Sequence, residues 1–300
     1  MSPMPPQRYT VQHETRYAYT APVSQSWQLA RLTPRVLPWQ RLLSYSLEIE
    51  PKADERRDEL DSFGNRVTHF GLHGAHRMLR VRMECLVEVD ARPEAVPPEG
   101  EPEPLAWEAV REAVRREPQL DDLVPASMSE PTPLLPLSEG ARLYAGASFA
   151  RGRPWLEAVS ELMHRIHADF EFEPGATTVS TSVDEVLYQR RGVCQDFAHL
   201  MLACLRGHGL PARYVSGYLL TEPPPGMPRL MGADASHAWV AAFSPQHGWV
   251  EFDPTNDQLA DQRYITLTWG ADFADVVPLR GVIFGGGDQR LDVEVSVIPS

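Results

Sequence analysis

Cysteine is scarce in this 300-residue chain, which has only Cys85, Cys194 and Cys204. Three thiols cannot build a disulfide framework. Neither a CxxC nor an HExxH pattern occurs, so the usual zinc signatures are missing. No metal and no cofactor is expected. Long apolar runs are also missing, and nothing approaches the roughly 20 apolar residues of a membrane span. Basic residues are in deficit, 28 Lys and Arg against 41 Asp and Glu, for a net charge of −13. That balance argues against nucleic acid and against anionic membrane surfaces as partners. The segment Met1–Tyr9 carries prolines and polar residues without an apolar core, so no secretory leader is expected. A cytoplasmic location follows as the expectation, and a reducing compartment suits a free thiol.

Proline, by contrast, is plentiful at 28 residues, and it clusters. The clusters divide the chain into residues 1–92, 93–137 and 138–300. In the first part apolar residues alternate with polar ones, most clearly at Leu79, Val81, Met83, Cys85, Val87 and Val89. Period two marks half-buried strands. Tyr9–Tyr19, Leu43–Ile49 and Val67–Leu72 read the same way, and the turn residues Asp61–Asn65 precede the last of these. This predicts an antiparallel β domain with Cys85 in its core. Residues 93–137 read as a Pro-rich linker with one short helix over Leu105–Arg116. Beyond it, helices are predicted over Ser138–Phe149, Pro154–Phe170 and Ser182–Arg190. Thr177–Ser182 reads as β-like, and strands are expected over Ala212–Leu220 and Tyr264–Thr268. The alternating Leu291–Val297 is expected to close the core of the third part.

The chemistry concentrates at Gly192–His199. Phe197, Leu200, Met201, Cys204 and Leu205 follow helical spacing, and Gly207, Gly209 and Pro211 supply the stop. Cys194 lies ahead of the apolar stripe, at the helix mouth, and Gly192 before it is expected to leave the thiol uncrowded. Unpaired N–H groups and the helix dipole favour a thiolate there. Cys204 lies on the stripe and reads as a small buried hydrophobe. Downstream, Ser236–Phe243 reads as a strand starting with His237, and Gly248–Asp253 as a second strand ending in Asp253 before Pro254. Two adjacent antiparallel strands can hold an imidazole beside a carboxylate, and a helix mouth packed on them adds the thiol. Imidazole then takes the thiol proton and returns it to a leaving group, while the carboxylate fixes the ring tautomer.

The segments RRGVCQDFAHL, ASHAWVAAF and GWVEFDPTND resemble the three core motifs of the transglutaminase-like superfamily, in its bacterial cysteine-protease-like branch. The turn DSFGN resembles that branch's amino-terminal region. Chain order matches, with 43 residues from Cys194 to His237 and 16 from His237 to Asp253. The resemblance implies an α+β fold: an amino-terminal antiparallel β domain, then a papain-like core whose cysteine-bearing helix packs on an antiparallel sheet. It also implies that Cys194 is the nucleophile, His237 the base and Asp253 the orienting acid. The substrate would be a peptide or protein amide. Hydrolysis is favoured over transfer to an amine because no calcium loop or second-substrate feature is apparent. The other alternative is a non-catalytic binding module on the same fold. His164 and His167, three apart on a helix, are read as structural, as are Asp272 and Asp275. The proline-rich loop Thr221–Asp234 is expected to overhang the cleft and shape substrate entry. One oxyanion donor is expected from the Cys194 N–H, and the second stays unassigned.

Overall fold

A computed structural model describes residues 5–93, 103–116, 126–221 and 236–300. Its first layer grows from one long strand, β1 (Gln7–Ala30), whose Tyr9, Val11, His13 and Thr15 alternate into the interior. Against it run β2 (Gln40–Glu50), β3 (Glu55–Leu60), β4 (Arg66–Leu72) and β5 (His76–Val89), in the order β2-β5-β1-β4-β3. The register on β5 shifts between Ala18 and Val23. Beyond that shift β1 pairs with β4 instead, so one strand serves both halves of the sheet. β3 was not visible as alternation, because Glu55–Leu60 is a charged strand at the sheet edge.

The last two strands depart from expectation. β13 (Leu279–Gly285) and β14 (Gln289–Pro299) do not close the third part of the chain, although Leu291–Val297 was assigned there. Both pair antiparallel with β1, β14 through Tyr9↔Pro299 to Tyr19↔Gln289. Val295 and Val297 are buried among Val11, Val81 and Val87. Alternation reports which face of a strand is apolar, not which strand lies beside it.

The short strands β6 (Glu171–Phe172) and β7 (Arg191–Gly192) pair in parallel, and the second layer is a five-stranded antiparallel sheet. Its members are β8 (Ala212–Leu219), β9 (Ser236–Ser244), β10 (Gly248–Asp253), β11 (Gln258–Leu259) and β12 (Tyr264–Gly270), ordered β11-β10-β9-β8-β12. Among the described residues it is accompanied by the helices α1 (Trp107–Arg116), α2 (Glu139–Ala145), α3 (Trp155–Asp169), α4 (Val183–Gln189), α5 (Cys194–Gly207) and the single-turn α6 (Phe273–Val276). Ser138 caps α2 by accepting the Ala141 N–H, and Ser182 caps α4 by accepting the Glu185 N–H. Thr177–Ser182 is a turn rather than a strand, with Thr181 Oγ1 accepting the Thr178 N–H at 2.9 Å. Hydroxyls that bond locally to the backbone compete with ladder formation.

Every residue of α5 from Asp196 to Arg206 is buried. The helix lies against Ala238, Val240 and Ala242 of β9, with α2, α3 and α4 around it. Burying Phe197, Leu200, Met201 and Leu205 contributes about 1.5–3 kcal/mol each, enough to fix the helix rigidly on the sheet. Farther along β8 and β12, Tyr218, Ile265 and Leu267 enter the core of the first sheet. The two sheets therefore share apolar contacts. Residues 94–102 and 117–125 of the expected linker lie outside the described residues.

Candidate active site

Cys194 is the first residue of α5 and is partly open to solvent. Val193 precedes it in extended geometry, and a valine side chain has no oxygen with which to cap a helix. Asp196 substitutes from the third helical position. Its carboxylate accepts the Val193 N–H at 2.8 Å and the Thr177 hydroxyl at 2.6 Å. The N–H groups of the first turn have no carbonyl partners within the helix. Gly192 is needed here for a reason other than an uncrowded thiol. A Cβ on it would stand 2.8 Å from Asp196 Cβ and Oδ2. Gly192→Ala should thus push Asp196 off the cap and cost about 1–3 kcal/mol, measured as the shift of a urea midpoint.

His237 opens β9, and Asp253 ends β10 beside it. The antiparallel register Val240↔Phe252 to Ser244↔Gly248 places the two side chains on neighbouring strands. His237 Nε2 lies 2.6 Å from Asp253 Oδ2 and 3.3 Å from Asn256 Nδ2, and Cys194 is near enough to act on the ring's charge. With Nε2 taken by the carboxylate, Nδ1 is the nitrogen left for sulfur. Burial on its own lowers the imidazole pKa. The hydrogen bonds and charges of Asp253 and Cys194 outweigh it and raise that pKa above the ordinary histidine value.

Asp253 is completely buried. It accepts from the Tyr264 hydroxyl at 2.7 Å, Asn256 Nδ2 at 2.7 Å and the backbone N–H groups of Thr255 and Asn256 at 2.9 and 3.3 Å. Burial pushes its pKa up, but His237, Asn256 and Tyr264 hold it below the usual carboxylate range. A carboxylate so well supplied with donors stays ionised without water.

Tyr264 and Asn256 escaped the sequence reading. Asn256 stands three residues after Asp253 in the DPTN segment, so it carried a proximity signal. Tyr264 is eleven residues away in sequence and read only as the start of a strand. Its ring packs edge-on against Trp239, whose indole in turn stacks on His237. Tyr264→Phe keeps the ring and removes one donor from a buried anion. The expected loss is about 1.5–3 kcal/mol of stability, together with a lower kcat at little-changed KM.

His164 and His167 on α3 brace the loop after Asp253. His164 bonds to Asp257, and His167 Nδ1 lies 3.0 Å from the Thr255 carbonyl. Asp272 and Asp275 cap backbone N–H groups of Ala274 and Ala271. Cys85 and Cys204 are buried, and burial pushes both thiols upward, Cys85 to about 12. Arg190 and Arg191 are engaged away from the thiol, Arg190 over the rings of Phe170 and Tyr144 and Arg191 with Glu173. Beyond Thr221, the loop expected over the cleft lies outside the described residues.

Residues 9–88 match the family model of the bacterial transglutaminase-like N-terminal region, and residues 145–254 that of the transglutaminase-like superfamily. An uncharacterised protein of Mycobacterium tuberculosis is 42% identical over 301 residues, covering 97% of this chain and 93% of that protein. A protein-glutamine gamma-glutamyltransferase of Pseudomonas aeruginosa is 34% identical over 131 residues, 37% of this chain and 20% of that protein. A crystal structure from Cytophaga hutchinsonii, described as a "putative cysteine protease", superposes with a TM-score of 0.75 at 18% identity, covering 99% of this chain and 91% of that one. At that identity the superposition speaks for the fold. With both halves matched by the family models and a relative spanning nearly its whole length, the chain is a bacterial member of the transglutaminase-like superfamily.

Proposed function

We propose that this protein catalyses acyl transfer from an amide to its own Cys194 thiol and then to water, acting as a cysteine peptidase or amidase. The observation that carries this reading is His237, bonded to the buried Asp253 at 2.6 Å and within electrostatic reach of Cys194 at the helix mouth. In the first step the Cys194 thiol passes its proton to His237 and the sulfur attacks the amide carbonyl. A C–S bond forms and the carbonyl π electrons move onto oxygen. The N–H of Cys194 at the helix mouth then donates to that oxyanion. The C–N bond then breaks as protonated His237 gives its proton to the departing amine. Water next attacks the thioester while His237 takes a proton from it. The acid leaves and the thiol is restored. Asp253 keeps the ring oriented and stabilises its cationic form.

Transfer to an amine instead of water is the second reading. The sequence similarity to the Pseudomonas aeruginosa protein-glutamine gamma-glutamyltransferase over 131 residues favours it. One incubation separates the two. A glutaminyl-peptide library is mixed with a labelled primary amine, and the products are read by mass. Free acid with no incorporated label supports hydrolysis. Label attached to the glutamine carbonyl supports transamidation and overturns the hydrolytic reading.

A further inference from the structure

A cavity lies apart from the cysteine, on the face of the five-stranded sheet away from α5. Its volume is about 660 Å³, and it opens between β10, β11 and the segments around Leu37–Trp39 and Ala91–Pro93. Volumes of roughly 300–1,000 Å³ are those of small-molecule sites. Most of the lining is apolar or aromatic, including Trp39, Trp249 and Trp269.

Two buried polar side chains line it, each with one atom that lacks a hydrogen-bond partner. The first is Arg213 on β8, only 6% exposed. Its guanidinium lies 3.5 Å from the centre of the Trp269 ring and 4.2 Å from that of Trp249. Its Nε has no hydrogen-bond partner, and no carboxylate among the described residues forms an ion pair with it. Arg35 sits 3.5 Å from the Trp269 ring and bonds to the Phe63 carbonyl and the Asn65 side chain, so it brings no neutralising anion. Buried cations are ordinarily paired, because leaving one without an anion is costly. The second group is Glu251 on β10, 5% exposed. Its Oε2 takes the Trp239 indole N–H at 2.9 Å and Arg92 at 3.1 Å, while Oε1 has no partner.

Register sets the two groups apart by a fixed amount. Arg213 and Glu251 both pair with Ala241 of the intervening strand, one from each side. Their backbones are therefore two strand spacings apart, roughly 10 Å. Glu251 is paired with Arg92 and acts on Arg213 only at longer range, so Arg213 is the cation of the wall with no carboxylate among the described residues in ion-pair contact. A single charge calls for a monoanion, and Glu251 and Asp261 on the wall disfavour a dianion such as phosphate.

We infer that this cavity binds the carboxylate end of a peptide or N-acyl amino acid with an apolar side chain. The carboxylate would pair with Arg213 and the adjacent amide N–H would donate to Glu251 Oε1, with the side chain among the tryptophans. Arg is well suited to bidentate carboxylate recognition. The same chemistry is offered by a free N-acyl amino acid and by the C-terminus of a peptide.

The test uses the full-length chain carrying Cys194→Ala, so that no turnover interferes. Binding is followed by tryptophan fluorescence and by calorimetry. The probes are N-acetyl-L-leucine, N-acetyl-L-leucinamide and a hexapeptide ending in leucine. At least one of the two acids should bind, and the amide should bind at least about tenfold more weakly, the value of a hydrogen bond to a charged group. Preference for the hexapeptide would identify a peptide terminus, and preference for N-acetyl-leucine a free metabolite. Arg213→Gln should weaken the acid by about tenfold or more. If that variant misfolds, Pro38→Glu at the exposed rim should weaken the acid severalfold and spare the amide. No binding of either acid, equal binding of acid and amide, or affinity unchanged in Pro38→Glu with Arg213→Gln folded and equally tight would overturn the proposal.

Discussion

Cys194→Ala should abolish turnover while leaving the fold intact. Residues that act as one unit lose nearly everything when one of them is removed, and losses on the order of 10⁶ in kcat are known for a nucleophile. The fold should survive because Cys194 packs only partly against the main core, and its neighbour Asp196 carries the capping bond. His237→Ala should be nearly as severe. Adding it to Cys194→Ala should cost little more, since the imidazole has no function without the sulfur. The checks are single-turnover kinetics for each variant and a urea titration that shows unchanged cooperativity for Cys194→Ala. Neither Cys85→Ala nor Cys204→Ala should remove activity directly. Both thiols are buried and held in the neutral form.

The second large effect concerns Asp253 and reaches stability as well as rate. Its partner His237 has a side chain only 10% exposed, and the aspartate itself has 0%. Asp253→Ala leaves a buried imidazole, the Tyr264 hydroxyl and the Asn256 amide without their acceptor. Breaking such a pair from one side costs about 3–5 kcal/mol. Asp253→Asn should be milder in stability, yet it removes control of the ring tautomer and so retains only partial activity.

The pair also sets a pH dependence of stability. The folded pKa of His237 is raised, so its contribution is complete below the ordinary histidine value of about 6.5 and is lost as pH climbs through the folded value. The folded pKa of Asp253 is lowered, so its contribution is complete above the ordinary value near 3.9 and is lost as pH falls through the folded one. Both are fully present between about pH 4 and 6.5. Denaturant titrations of the wild type should show an alkaline decline that Asp253→Asn flattens. With the carboxylate charge gone, burial would govern the ring and keep it neutral.

Several parts of this site could be read before any coordinates. Cys194 stands one step outside an apolar helical stripe, His237 starts one strand and Asp253 ends another. Each of these is a local pattern. The shared register of β9 and β10 follows from a short turn, so it too was close to legible. What did not show in the sequence depends on contacts between distant segments. Tyr264 reaches Asp253 from across the sheet, and its own neighbours give no hint of it. The destination of β14 was misplaced because the alternation of Val293, Val295 and Val297 is satisfied equally by any strand that covers them. Arg213 likewise looked like one polar residue in an apolar strand. Only the fold reveals a cation with tryptophans around it and no anion. Gly192 was expected to free the thiol, yet its hydrogen faces the capping carboxylate of Asp196.

The most direct measurement is the mass of the enzyme caught in the act. A reactive glutaminyl or peptidyl substrate is mixed with the protein, quenched in acid within the first turnover, digested and mapped. The account predicts one thioester, on the fragment that contains Cys194, absent from His237→Ala and slower to form in Asp253→Asn. A wild-type turnover that never places acyl mass on that fragment, or places it on Cys85 or Cys204 instead, would contradict it.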